Sequence, residues 1–158
     1  MLMRNKIVML VVAFTICPFV LHSARAASDL KLAPNLSFTD DSSSNFPIAG
    51  DSIGNATVGS ERATIMFFGT AHCWNTNREA ERLVALYPKY RDKIDFVIVD
   101  VNHPSASQQP LIAKYYRGYI PTITVIDRKG EVIYNRAGET ASTRGDTSKL
   151  EALLNSAK

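Results

Sequence analysis

Cysteine is almost absent from this chain. The 158 residues include two, Cys17 and Cys73, and Cys17 lies inside an N-terminal apolar run that reads as a removable leader. A single remaining thiol excludes an intramolecular disulfide framework. It leaves Cys73 as an intermolecular bridge, a reactive thiol or an inert buried side chain. An excess of charge is lacking too. Without Arg4, Lys6 and Arg25 of the leader, the 18 basic residues fall to 15, equal to the 15 acidic ones, so nothing points to nucleic acid. There is no internal repeat. His72, Cys73 and His103 follow no metal-ligand spacing, so neither a metal nor another cofactor is expected, and His103 in "NHPS" reads as a solvated turn residue.

The leader has the three parts of a secretory signal peptide. Arg4 and Lys6 stand in an acid-free start, Ile7 to Leu21 is almost wholly apolar, and "HSARAA" offers small residues for cleavage after Ala26. The apolar run contains Pro18 and falls short of the roughly 20 residues a spanning helix needs. Thr15 and Ile16, ahead of Cys17, are not the small residues a lipid-attachment signal wants. The expected organisation is a signal peptide over 1–26, a flexible segment over 27–60 and one domain over 61–158. The expected location is the periplasm or the exterior, with no membrane partner after cleavage. The 27–60 segment, with "DDSSSN" at Asp40 to Asn45, shows no sustained periodicity and offers at most one short strand near Phe46 to Ile48. "NAT" at Asn55 is too short a pattern to argue glycosylation from.

Regular patterning begins after that segment. "ATIMFFG" is the continuous apolar run of a buried strand. Ala80, Leu83, Val84 and Tyr87 fall at i, i+3, i+4, i+7 and give a helix reaching Pro88 or slightly beyond. "IDFVIVDV" is a second β-branched strand, so the three form a βαβ unit with a parallel pair. "PLIAKYYRG" reads as a helix opened by Pro110 and stopped at Gly118. "TITVID" and "EVIYNRAG" flank "RKG" as an antiparallel hairpin. In "DTSKLEALLNSA", Ser148 and Glu151 match a capping box ahead of a Leu150, Leu153, Leu154 stripe. The order β-α-β-α-β-β-α predicts an α/β fold with a central mixed β-sheet flanked by helices.

Over roughly residues 61–158 this order resembles the thioredoxin family. Cys73 stands where the family has the first cysteine of Cys-x-x-Cys, and Pro121 in "YIPT" where it has the cis-proline facing that cysteine. Tyr115, the "RKGEVI" hairpin and Gly138 also match. The resemblance implies a thioredoxin-like fold, a cis Ile120–Pro121 bond, and substrate contact through Ile120 and Pro121, where an extended segment pairs as a short added strand. Trp74 is expected as a contact surface for partners or as a lid over the thiol. The site departs from the family pattern. Thr76 replaces the resolving cysteine, His72 replaces the usual tryptophan, and Phe67 replaces the buried acid six residues before the first cysteine.

Chemistry survives these changes in part. A cysteine at a helix N-terminus meets unpaired N–H groups and the positive end of the dipole, which favours its thiolate. Thr76 can offer that thiolate a hydroxyl hydrogen bond, and a protonated His72 would add a positive neighbour. What is lost is self-release, because a mixed disulfide must be attacked by a second thiol. Cys73, Thr76 and His72 are therefore the candidate catalytic residues, and Trp74, Ile120 and Pro121 the candidate substrate-binding ones. The expected function is monothiol thiol–disulfide exchange with cysteine-containing exported proteins or a low-molecular-weight thiol. The alternative is a non-catalytic thioredoxin-fold binding module. "TAHC" also has the Thr-x-x-Cys form of the related peroxiredoxins, but the match is partial: no downstream arginine, neither Arg136 nor Arg144, can be assigned the activating role from sequence, and the proline expected four residues before that Thr is Met66 here.

Overall fold

The computed structural model describes residues 29–49, 58, 61–138 and 147–157. The expected signal peptide and Asn55 lie outside them. Among the described residues nine elements follow one another, named in chain order: β1 (Lys31–Leu32), β2 (Ile48–Ala49), β3 (Ala63–Gly69), α1 (Trp74–Tyr90), β4 (Ile94–Asp100), α2 (Gln109–Tyr115), β5 (Thr122–Ile126), β6 (Val132–Ala137) and α3 (Ser148–Ala157).

Four strands form one mixed sheet in the order β4-β3-β5-β6. β4 runs parallel to β3, as a βαβ crossover requires, and β5 and β6 are antiparallel to their neighbours. β3 is buried along its whole length, and its period of two divides it between two cores. Ile65 and Phe67 face α1 and α3, together with Phe96, Ile98, Ile123 and Val125. Met66 and Phe68 face the α2 side, with Val97, Val99, Tyr115 and Ile126. A strand covered on both faces must be apolar throughout, which is why "ATIMFF" lacks alternation.

α1 buries Ala80, Leu83 and Tyr87, with Val84 partly buried beside them, so the expected stripe is the packed face. Tyr87 meets Phe96 edge to face at 5.0 Å between centroids. The helix continues through Pro88 to Tyr90. The β5–β6 turn is held by Asp127, whose carboxylate accepts the Lys129 and Glu131 N–H groups at 2.9 Å. Gly130 there has φ +81°, open to a residue without Cβ.

Three expectations need correction. Residues 29–49, read as part of a flexible segment, pack onto the α1 side of the sheet. β1 and β2 pair antiparallel, Leu30 and Ile48 are buried in the main core, and Phe46 meets Phe67 edge to face at 6.2 Å. The strands are two residues long and the apolar anchors come singly, so no periodicity betrays them. α2 ends at Tyr115, three residues before Gly118, because Tyr116 turns extended at ψ 134°. In α3 the first helical carbonyl acceptor is Thr147, which takes the Glu151 N–H at 2.8 Å. The helix thus begins one residue ahead of the expected cap at Ser148, and the Glu151 carboxylate pairs with Lys89 of α1.

Candidate functional site

The chain leaves β3 at Gly69 and reaches α1 through a four-residue loop whose geometry is set by packing. A Cβ on Gly69 would stand 2.5 Å from Thr76 Cγ2 and 2.8 Å from Phe67 Cζ. The glycine therefore lets the first turn of α1 close onto the strand end. Thr70 at the head of the loop accepts a hydrogen bond from Asn102 Nδ2 at 2.5 Å, and the Val101 N–H donates to the Gly69 carbonyl at 2.9 Å. The loop after β4 thus braces the loop after β3. His72 adopts φ +56°, and its N–H donates to the Ser43 carbonyl at 3.0 Å.

Cys73 is the N-cap of α1, with extended backbone at φ −145°, ψ 105°. Its carbonyl accepts the Asn77 N–H at 3.1 Å. The thiol is free and half-buried. Thr76 lies in the first turn, fully buried, and its hydroxyl has no hydrogen-bond partner. It does not bond Cys73 here, because the side chain is wedged with its methyl toward Gly69 and Phe67. The His72 ring is exposed. Trp74 is half-buried, with Arg78 Cζ 4.4 Å over its ring.

The Ile120–Pro121 bond is cis. Phe68 pairs with Thr122 in the β3–β5 register, so Pro121 and the Gly69–Cys73 loop occupy the same end of the sheet. The proline loop is fixed from both sides. Thr122 Oγ1 donates to the Tyr119 carbonyl at 2.5 Å, and the Gly138 N–H donates to the Pro121 carbonyl at 2.7 Å. Pro121 is buried, Ile120 half-buried, and Tyr119 presents 70% of its surface to solvent. Cys73 and the cis-proline thus stand at neighbouring strand ends.

The fold is thioredoxin-like. A cysteine caps the helix after the first long strand, a cis-proline opens the third, and the sheet is mixed and flanked by helices, as that resemblance implies. No family model matches the chain, and no curated protein does. Among solved structures it is similar to Fasciola hepatica thioredoxin, with 21% identity over 63% of this chain and 85% of that one, at a TM-score of 0.49. Thioredoxin O2 of Arabidopsis thaliana is 19% identical over 62% of this chain and 77% of its own, TM-score 0.48. The Drosophila melanogaster thioredoxin Deadhead is 18% identical over 62% and 83%, TM-score 0.47.

Several residues at the site carried no local signal in the sequence. Asp41 Oδ1 accepts the Trp74 N–H at 3.0 Å, so the first N–H of α1 is capped by a carboxylate 33 residues upstream. Asn77 is fully buried. Its Nδ2 donates to the Ser37 carbonyl at 2.6 Å and to Ser43 Oγ at 2.9 Å. Hydrogen bonds from Ser42 and Ser37 hold the Asp40 carboxyl below its ordinary value. Phe46 of the upstream segment packs in a T-shaped arrangement against Phe67 of β3. Farther along α1, Glu79 is buried and its carboxylate pairs with Arg82 and with Arg136 of β6. Arg136 is thereby engaged away from the Thr-x-x-Cys pattern, and Arg144 lies outside the described residues. His103 pairs with Asp100 at 3.1 Å, beside a recess of about 140 Å³ lined in part by Leu30, Phe46 and Ile98.

Proposed function

We propose that this is an exported thioredoxin-like protein whose single thiol, Cys73, exchanges with disulfides or thiols of other exported proteins, or with a small thiol, by a monothiol route. The observation that carries the reading is a half-exposed Cys73 at the N-cap of α1, at the same end of the sheet as the cis-proline loop. The Cys73 thiolate attacks one sulfur of a disulfide, a new S–S bond forms, and the other sulfur leaves as a thiolate. Release of the mixed disulfide then needs an external thiol, since Thr76 cannot attack. Thr76 supplies a buried hydroxyl without a partner, and it would reach negative charge on the neighbouring sulfur only by leaving its packed position. Ile120, Pro121 and Trp74 would hold an extended client segment, and His72 would contribute charge when protonated.

A second reading has its own support. With the first N–H of α1 already bonded to Asp41 and the Thr76 hydroxyl turned from Cys73, the groove can serve as a non-covalent binding module. Trapping separates the two. An exchanger forms mixed disulfides in the exported fraction that are lost in Cys73→Ala, whereas a binding module keeps its partners in that variant. Thr76→Cys should also create dithiol reductase activity; a folded Thr76→Cys protein without it would overturn the exchange reading.

A further inference from the structure

The loop from Ser37 to Ser43 is bound at four points to His72, Trp74 and Asn77, the residues around Cys73 at the start of α1. Its carbonyls at Ser37 and Ser43 accept from Asn77 Nδ2 and from the His72 N–H. Its buried Ser43 hydroxyl accepts from Asn77 Nδ2 and from the Ser37 N–H, the latter at 2.6 Å. The fourth contact is of a different kind. Asp41 is exposed and contributes nothing to the core, yet its carboxylate sits on the Trp74 N–H, on the residue next to Cys73. A helix N-terminus stabilises one nearby anion through its free N–H groups and its dipole. Here that place is held by an aspartate of the same chain. The Thr76 hydroxyl, buried in the same turn without a partner, is a donor left unused at this terminus.

We propose that the Ser37–Ser43 loop is a built-in restraint on Cys73, in which Asp41 occupies the anion position at the start of α1 and disfavours negative charge on the adjacent sulfur until the loop is displaced. Asp41 is a positioning residue in this scheme and touches no substrate. Displacement breaks four hydrogen bonds and exposes Asn77, so a client that competes for the first turn of α1 would both open the loop and meet a sulfur freed of its neighbouring carboxylate. The proposal rests on the reading of Cys73 as an exchanging thiol, and it adds a cause for that thiol being slow in the resting protein. Other titratable or charged side chains on the elements meeting there are His72 of the loop before α1, Arg78 on α1 itself, and Asp40 of the docked loop, whose carboxyl is turned to Ser42.

The test is the rate of iodoacetamide modification of Cys73 in the full chain at pH 7, read on the Cys73 peptide by mass spectrometry. Asp41→Asn keeps the shape and removes the charge, and should react about two- to five-fold faster, the size of one charge at an exposed helix terminus. That gain should shrink in about 0.5 M salt, where charges separated by more than a few ångströms are screened. Asp29→Asn removes the same charge from the far end of the arm, where Asp29 pairs with Arg91, and should leave the rate within experimental scatter. An Asp41→Asn rate equal to or below the parent, or an equal gain in Asp29→Asn, overturns the restraint. Failure of the exchange reading looks different: Cys73 would trap no partner in any variant, while the Asp41→Asn gain would persist.

Discussion

At Gly69 the fold has no room for a methyl group, since an added Cβ would lie inside contact distance of both Thr76 and the Phe67 ring. Phe67 is fully buried and cannot swing clear, so Gly69→Ala must push the first turn of α1 away from β3. We expect a loss of about 1–3 kcal/mol, the usual range for overpacking, read from urea denaturation. The shift should also move Cys73, so a change in its iodoacetamide rate should accompany the loss. Thr76 shows the converse case. Its hydroxyl is buried without a partner, and such a group carries a desolvation cost that a methyl does not. Thr76→Val should therefore be neutral or more stable by up to about 1 kcal/mol. A clear loss of stability in the same urea experiment would mean that the hydroxyl has a partner in solution, with the Cys73 sulfur the first to test.

At the scale of elements, α1 is tied to its surroundings by two polar clusters, one at its first turn and one from Glu79 to Arg82. The inner one holds Glu79 between the guanidinium groups of Arg82 and Arg136. Glu79→Gln removes the negative charge from a buried ionic cluster, and a loss of about 3–5 kcal/mol is expected from breaking such an arrangement, measured as a drop in the urea midpoint. The outer cluster is the docked loop. The Asp40 carboxyl is held below its ordinary 3.8 by the Ser42 and Ser37 hydrogen bonds. A depressed carboxyl stabilises the folded state above its unfolded value, and that stabilisation disappears as pH falls through the folded value. The difference in thermal midpoint between the parent and Asp40→Asn should be fully present at pH 6 and should close below about pH 3.8; a gap that stays constant with pH would assign it to shape alone. The elements that were readable in the sequence are those with a long repeat. α1 showed a helical stripe, and β3 and β4 showed unbroken apolar runs, so their type and order followed from period alone. The end of α2 and the first acceptor of α3 differ from the expectation by a few residues, because Gly118 and Ser148 are strong local signals while Tyr116 already turns extended and Thr147 takes the first helical N–H.

For the molecule as a whole, the site was legible where it follows from the order of strands and not where it depends on contact across the chain. Cys73 at a helix start and a proline opening the third strand are local facts that the fold converts into neighbours. Asp41 meets Trp74, and Asn77 meets Ser37 and Ser43, across more than thirty residues of sequence, and nothing in "DDSSSN" distinguishes a docked loop from a free one. The same blindness applied to the arm as a unit, and it leads to a direct experiment. Leu30 and Ile48 are buried in the main core, and each is worth about 1.5–3 kcal/mol on the scale of side-chain burial. Phe46 covers the edge of Phe67, and the Asp29–Arg91 pair at the far end contributes little by comparison. A chain of residues 61–158 should thus be less stable than one of residues 27–158 by at least about 3 kcal/mol. It should bind an apolar dye through the uncovered faces of Phe67 and Ile98, and its Cys73 should be alkylated faster. Equal stability with no dye binding would restore the arm to a mobile leader and would leave the buried Phe67 without the Phe46 partner that covers it here.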